Sequence, residues 1–396
     1  MKKTLSILTV AALILGILFG IFFPEYLPYV EFAGVWYVKI LKVFVTPVVF
    51  TGIAVSAYGS AGKRDGLVLK AIFCFVLLFA ASFLITSLLA AVLDPAGDFA
   101  FEEAVWDGRK TSFGILSVLS NLVPRNLSDI FVSPKLFFIV VIAFLFGKLG
   151  SLIKKSEGFF KGLEKAKGYI YKALEYFMYV TPLAVFSLTA SAMAARGGAF
   201  FGAGLRYVGT TYICSLAVMM LVMILPAFFI AGVKPSEYVR KAYRVWIMTV
   251  TTCSSAATLP YTVKTCKEDF GLDERVTDAV VPLGCTVNMC GGAVSFALLG
   301  LFCAALYGVP VGFADYLLML FSSLLINMAA PGIPGGGMVI GAGYLEMMGI
   351  PLGFMGFYAG IYKFLDMVYT ALNVTGDITA DIILSKTVAQ EKARKV

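Results

Sequence analysis

Thr251-Thr252-Cys253-Ser254-Ser255-Ala256-Ala257-Thr258-Leu259-Pro260 sits midway along an otherwise apolar stretch, with Arg240, Lys241 and Arg244 before it and Lys264 and Lys267 after it. Basic residues at both ends and a small polar tip between them read as a hairpin that enters a membrane and leaves on the same side. Further along, Ala329-Ala330-Pro331-Gly332-Ile333-Pro334-Gly335-Gly336-Gly337 forms a second tip of the same kind. Its prolines and glycines free backbone groups that must line a cavity or be buried in protein. Each tip is followed by Asn-x-x-Gly: Asn288-Met289-Cys290-Gly291 after the first and Asn373-Val374-Thr375-Gly376 after the second. Paired, similarly interrupted segments point to an internal repeat with a binding site at mid-membrane depth. Two glycine-rich helix-packing faces are the alternative.

The rest of the chain fits a membrane setting. Of 396 residues, 60% are hydrophobic and 14% charged, a composition that no water-facing globular surface tolerates. Leu5–Phe23, Tyr207–Val233 and Ala279–Ala314 carry no charge at all, and about 20 apolar residues suffice to cross a hydrocarbon core. Lipid satisfies no backbone polar group, so helices must do the spanning. Hydropathy places spans near 4–23, 34–58, 69–93, a broken one within 114–150, then 169–195 and 203–233. Regions 237–308 and 314–385 are too long for one helix each. The N-terminal apolar run reads as the first span rather than a signal peptide. With Lys2 and Lys3 inside, Lys63 and Arg64 also fall inside, the acidic loop Asp94–Glu103 outside, and the lysine-rich loop Lys154–Lys167 inside.

Several function classes drop out. The formal charge of +8 resides in short loops, as orientation by positive charge requires, so nucleic acid is not the expected partner. Cys74, Cys214, Cys253, Cys266, Cys285, Cys290 and Cys303 lie in or beside apolar segments without CxxC spacing, which indicates neither a disulfide framework nor a zinc site. The absence of histidine removes Ser-His and Cys-His nucleophile pairs and histidine proton relays.

The last apolar region carries Asp366 and Asp377, and an ionisable residue at membrane depth is a functional hypothesis by default. Tyr369, Thr370, Asn373 and Asp377 follow Asp366 at +3, +4, +7 and +11, one face of a helix. Such a stripe should line a cavity, where a carboxylate holds an ammonium and an amide holds a carboxylate. Carbonyls exposed where helices break at Asn288 or Asn373, together with Asp377, would suit a hard monovalent cation. Thr258, Ser254 and Ser255 are weaker candidates. The residues thus read as a cation-coupled secondary transporter for a small amino-acid-like solute, with a channel or an intramembrane enzyme as poorer fits.

The chain resembles the dicarboxylate/amino acid:cation symporters, the glutamate-transporter family. The likeness rests on the tip Cys253–Pro260, Pro282-Leu283-Gly284, Asn288-Met289, the tip Gly332-Ile333-Pro334-Gly335, Leu365-Asp366-Met367 and Asn373-Val374-Thr375-Gly376-Asp377. It implies an all-α polytopic membrane protein of eight transmembrane helices plus two re-entrant helical hairpins, arranged as inverted repeats, and an elevator-type homotrimer. By analogy 1–68 holds scaffold helices one and two, 69–110 helix three of the transport domain, 111–200 scaffold helices four and five, and 201–396 the remaining transport domain. The resemblance assigns the substrate ammonium to Asp366 and its carboxylate to Asn373. Thr370, Tyr369, Ser254, Ser255, Cys253, Gly332, Ile333 and Gly337 complete the substrate set, with the second tip as gate. It assigns one sodium to Asp377 with carbonyls of Gly284, Asn288 and Asn373, and a second to Thr286, Met289 and carbonyls near Asn327, Met328 and Ala330. It also implies a cytoplasmic (inner) membrane location with both termini cytoplasmic.

Three departures from the family pattern shape the expected substrate. The usual Asn-Met-Asp-Gly-Thr reads Asn288-Met289-Cys290-Gly291-Gly292, which removes a carboxylate and a hydroxyl. The arginine that reads an acidic substrate side chain is Tyr369, and Cys253 stands where some members carry the alternative arginine. Tyr362 replaces the acidic residue that supports that arginine. An acidic side chain buried without a cation costs several kcal/mol. The expectation is therefore a neutral amino acid with two sodium ions, the third site being lost to Cys290, Phe75, Leu78 and Phe79. A proton- or sodium-coupled acidic amino acid or dicarboxylate symporter, with Lys363 swinging in as the cation, is the alternative.

Overall fold

The computed structural model describes residues 2–60, 66–97, 136–153, 155–327 and 336–393. Every regular element among them is helical. The first half contains α1 (Lys2–Phe22), α2 (Glu31–Ser60), α3 (Gly66–Leu93), α4 (Leu136–Gly150), α5 (Glu157–Phe177), α6 (Thr181–Val218) and α7 (Leu225–Ala231), the last two joined by a π-turn, Met219–Ile224. The second half contains α8 (Pro235–Thr252), α9 (Ser255–Lys264), α10 (Glu274–Val287), α11 (Cys290–Leu306), α12 (Phe313–Asn327), α13 (Gly336–Met347) and α14 (Met355–Ala393).

The solvent for these helices is written on their faces. On α3 the inward stripe is Val68, Ala71, Phe75, Leu78, Phe79, Ser82 and Phe83, while Leu69, Phe73, Leu77, Leu84, Leu88 and Val92 stand exposed on the opposite side. A helix apolar on both its packed and its open face belongs in lipid. Among the described residues, Gly66–Leu93, Phe201–Ala231 and Glu274–Leu306 are long and apolar enough to cross a membrane unaided, and Ile7–Phe22, Thr46–Gly59, Thr181–Ala194 and Phe313–Asn327 are shorter apolar helices. α14 differs in carrying charged side chains along its length. Asp366, Asp377 and Asp381 on it are all buried, turned into protein, where alone a membrane helix can keep carboxylates.

Two groups of contacts organise the molecule. α1 packs along α6, and α2 lies against α4, α5 and α6. α11 is enclosed by α3, α12 and α14, and α14 also carries α8 and α10. α6 joins the two groups by packing on α14 as well, and Gly197 breaks it with φ 60 and ψ −146.

The expected lysine-rich loop Lys154–Lys167 and the span 169–195 are corrected. From Glu157 the segment is helical, with Phe160 buried and stacked on Tyr58 at 3.9 Å between ring centroids and Lys161 paired to Glu157 at 2.8 Å. A lysine-dense segment reads as a loop, yet apolar residues on one side make it an amphipathic helix. The helical path is then interrupted by a 3₁₀ turn, Met178–Val180, before Pro182 opens α6. The part of the broken span at 114–135, most of the acidic loop Asp94–Glu103 and the second tip up to Gly335 lie outside the described residues.

Candidate functional site

The first tip is built by its own small polar residues. α8 ends at Thr252, and Cys253 takes a left-handed backbone (φ 47) that turns the chain back. Ser254 is extended and accepts the Ala257 N–H at 3.3 Å to cap α9, an arrangement favoured at helix starts. The Thr258 hydroxyl donates to the Ser254 carbonyl at 2.8 Å. Cys253 and Ser255 thereby face the cavity, while the Ser254 hydroxyl is spent on the cap.

Next comes the break between α10 and α11. Asn288 (φ −83, ψ 105) and Met289 (φ −123, ψ 54) are non-helical, so the first amides of α11 need partners outside the helix. Gly291 N–H donates to Asn373 Oδ1 at 2.7 Å, and a Cβ at Gly291 would run into the Tyr369 backbone. This is why α11 can approach α14 so closely. The expected second break, at Asn373, does not occur: α14 is continuous from Met355 to Ala393. The glycine of Asn373-Val374-Thr375-Gly376 has another use, since Gly376 lies under the Asn288 amide, with a Cβ only 2.5 Å from Nδ2.

These elements enclose a cavity of about 50 Å³, lined from α14 by Tyr362, Asp366, Tyr369, Thr370 and Asn373. Cys253 and Ser255 of the first tip, Met289, then Gly292, Ser295 and Phe296 of α11, Asn327 of α12 and Gly337 of α13 close it. At roughly 10–15 Å³ per water in such a measure, the space suits a solute of a few heavy atoms. Thr370 Oγ1 donates to Asp366 Oδ1 at 3.4 Å. Among the described residues, Asn373 Nδ2 meets the weakly accepting Met289 sulfur, at 3.5 Å. The Tyr369 phenol has Tyr207, Thr211 and Ser295 around it, none at full hydrogen-bond geometry, and Ser295 pairs with Tyr358 at 2.9 Å. At the mouth, Lys363 Nζ donates to Cys253 Sγ at 3.0 Å.

Below the cavity lies an oxygen cluster. Asn288 Nδ2 donates to Asp377 Oδ1 at 2.8 Å and to the Asn373 carbonyl at 3.0 Å, and the Asn288 N–H reaches the Gly284 carbonyl at 2.8 Å. Gly284 must be glycine, because a Cβ would strike the Asp377 carboxylate and the Phe75 ring. Asp377 is therefore buried, not juxtamembrane and solvated. One turn on, buried Asp381 accepts the Thr277 hydroxyl at 2.7 Å and that of Ser385 at 3.4 Å, a feature that sequence reading did not single out. Cys290 donates to Asn288 Oδ1 at 3.0 Å, and Phe75, Leu78 and Phe79 are buried on α3.

Of the candidates named from sequence, Asp366, Tyr369, Thr370, Asn373, Cys253, Ser255, Gly337, Met289 and Asn327 share the cavity. Asp377, Asn288, Gly284 and the Asn373 carbonyl share the cluster beneath it. Thr286 is not with them: it is exposed, and its hydroxyl turns back to the Leu283 carbonyl at 2.9 Å. Gly332, Ile333, Met328 and Ala330 lie outside the described residues. Ser295 and Phe296 were missed, since nothing in a uniformly apolar helix marks which turn meets a cavity.

The chain was compared with known proteins. Residues 5–387 match the sodium:dicarboxylate symporter family. The chain is 25% identical to a proton/glutamate-aspartate symporter of Bacillus subtilis, over 98% of this chain and 95% of that one. It is also 25% identical to a C4-dicarboxylate transport protein of Rhizobium johnstonii, over 96% and 88%. A proton/sodium-glutamate symport protein of Geobacillus stearothermophilus is likewise 25% identical, over 97% and 94%.

Proposed function

The chain belongs to the sodium:dicarboxylate symporter family, and from that premise we propose that it carries a small neutral amino acid, coupled to sodium. It is a membrane symporter and not an enzyme, in keeping with its relatives. In the proposed binding mode Asp366 accepts the substrate ammonium. Asn373 Nδ2 and the first turn of α11, whose N–H groups carry partial positive charge, take the carboxylate. Thr370, Ser255 and Cys253 bound the rest, with Gly337 and the second tip, Gly332 and Ile333 included, as the gate.

The observation that carries the neutral substrate is the cavity wall. Where an acidic side chain would need a cation, the lining offers Tyr362, Tyr369, Phe296 and Ser295. A phenol can donate one hydrogen bond, but it lacks the charged fork that pairs with a carboxylate. Sodium would be held by Asp377 and the carbonyls of Gly284, Asn288 and Asn373 once the Asn288 amide turns its hydrogens away. A second ion would use Met289 and carbonyls around Asn327, Met328 and Ala330. The third site of full-motif relatives is lost here to Cys290 and the side chains Phe75, Leu78 and Phe79. We assign 1–68 and 111–200 to a scaffold and 69–110 and 201–396 to a transport domain. The working unit is an inner-membrane homotrimer with eight spans, two hairpins and both termini cytoplasmic, in which the transport domains move as elevators.

One contact favours a second reading. Lys363 already touches Cys253, which lines the cavity, and a short swing would bring its ammonium to an acidic substrate, as the names of the relatives invite. Uptake of labelled alanine, serine, aspartate and succinate into proteoliposomes under an imposed sodium gradient decides between the two. Concentrative uptake of alanine or serine, and not of aspartate or succinate, is the expected outcome. Preference for either acid overturns the neutral reading.

A further inference from the structure

Asn327 closes α12 and is 3% exposed. Its side chain lines the cavity, yet Nδ2 has no hydrogen-bond partner among the described residues. A buried, unpaired amide donor is costly, and the few such groups in folded proteins call for an explanation. Across the cavity wall stands Gly292. Any side chain there would collide with Oδ1 of Asn327, and its Cβ would come within 2.7 Å of Nδ2. The missing side chain of Gly292 and the inward amide of Asn327 are thus one device: the glycine makes room for a polar group brought from another helix.

The amide lies against Gly292 of α11 and shares the cavity with Asp366 and Asn373 of α14. The same cavity is lined by Ser295 and by Tyr369, whose phenol is likewise unpaired at full geometry among the described residues. An α-amino acid held by its ammonium and carboxylate on α14 leaves its side chain to meet the remaining wall, to which Asn327 belongs. We propose that the Asn327 side chain is a specificity-determining residue that donates a hydrogen bond from Nδ2 to an oxygen on the substrate side chain. The substrate class is then the small hydroxyl amino acids, serine foremost. This rests on the neutral-substrate reading and sharpens it; it concerns the Asn327 side chain, not its carbonyl.

The physical consequence is selectivity by penalty. A ligand lacking the acceptor leaves the donor unpaired, and sites built to bond a polar group reject analogues without it. The test is competition binding of L-serine and L-alanine to the purified full-length protein in sodium, with wild type, Asn327→Leu and Gly292→Ala. Leucine keeps the volume and removes the donor, while the added methyl at 292 pushes the amide aside. Wild type should bind serine at least about tenfold more tightly than alanine, and each variant should reduce that ratio to within about twofold. A ratio unchanged in both variants, or a wild type that binds alanine as tightly as serine, overturns the inference while leaving the neutral-substrate reading standing. Loss of all binding in both variants makes Asn327 structural and overturns it too. A wild type that ignores both amino acids and binds aspartate overturns the reading beneath it.

Discussion

Asp366 and Tyr369 lie one turn apart on α14 and face the same cavity, yet the proposed binding mode gives them opposite tasks. The carboxylate must hold a charge and the phenol must avoid demanding one. Removing one member of a buried charge pair costs about 2–5 kcal/mol, so Asp366→Asn should weaken amino-acid binding more than about thirty-fold while the protein still purifies as a folded species; undiminished affinity would remove Asp366 from the site. Tyr369→Arg places a guanidinium among the hydroxyls of Tyr207, Thr211 and Ser295 with no carboxylate to receive it except Asp366. The single variant should lose thermal stability, and adding Tyr362→Asp should recover it and confer aspartate binding, because a paired buried charge costs far less than an orphan. Melting curves of the two variants, with and without aspartate, check the order. At this scale the stripe on α14 was legible because helical periodicity alone puts +3, +4, +7 and +11 on one face. Thr286 was misplaced because its hydroxyl can turn to a local carbonyl. The side chain of Asn327 escaped notice because its meaning depends on Gly292, 35 residues earlier in the chain.

Among the elements, the two Asn-x-x-Gly sequences show how one pattern serves two ends. At Asn288 the chain leaves the helix, and the freed Gly291 N–H finds Asn373. At Asn373 the helix continues, and Gly376 is small so that the Asn288 amide can approach. The repeat is visible in sequence, but which copy breaks is decided by what packs on it. The α11–α14 contact therefore tolerates nothing larger than glycine, and Gly291→Ala should cost about 1–3 kcal/mol of stability through overpacking and lower substrate affinity, measured by melting with and without ligand. A separate tie, Thr277 to Asp381, fastens α10 to α14. Thr277→Val leaves that buried carboxylate short of a donor and should destabilise by about 1–3 kcal/mol. Equal melting of wild type and the valine variant would show the tie to be idle.

For the molecule as a whole, membrane residence was plain from composition and uncharged runs, and so was the interruption at the first tip. The helical nature of Glu157–Phe177 was not, because dense lysines conceal a one-sided apolar stripe. Division into a scaffold and a moving part remains our proposal, drawn along the break at Gly197 and the two packing groups. Cation number is a property of the same whole, since α3, α10, α11 and α14 all border the oxygen cluster. With Phe75, Leu78 and Phe79 on the α3 side and Cys290 in place of a carboxylate, uptake should rise with sodium with a Hill slope below three; a slope near three would contradict the loss of the third site. The account's central claim, that this cavity holds a small neutral amino acid together with sodium, is tested most directly by thermal-shift titration of the purified protein with serine, alanine, aspartate and succinate, in sodium and in its absence. Saturable stabilisation by serine or alanine is expected only when sodium is present, and none by the two acids. Stabilisation by aspartate or succinate in preference to both neutral amino acids would contradict it.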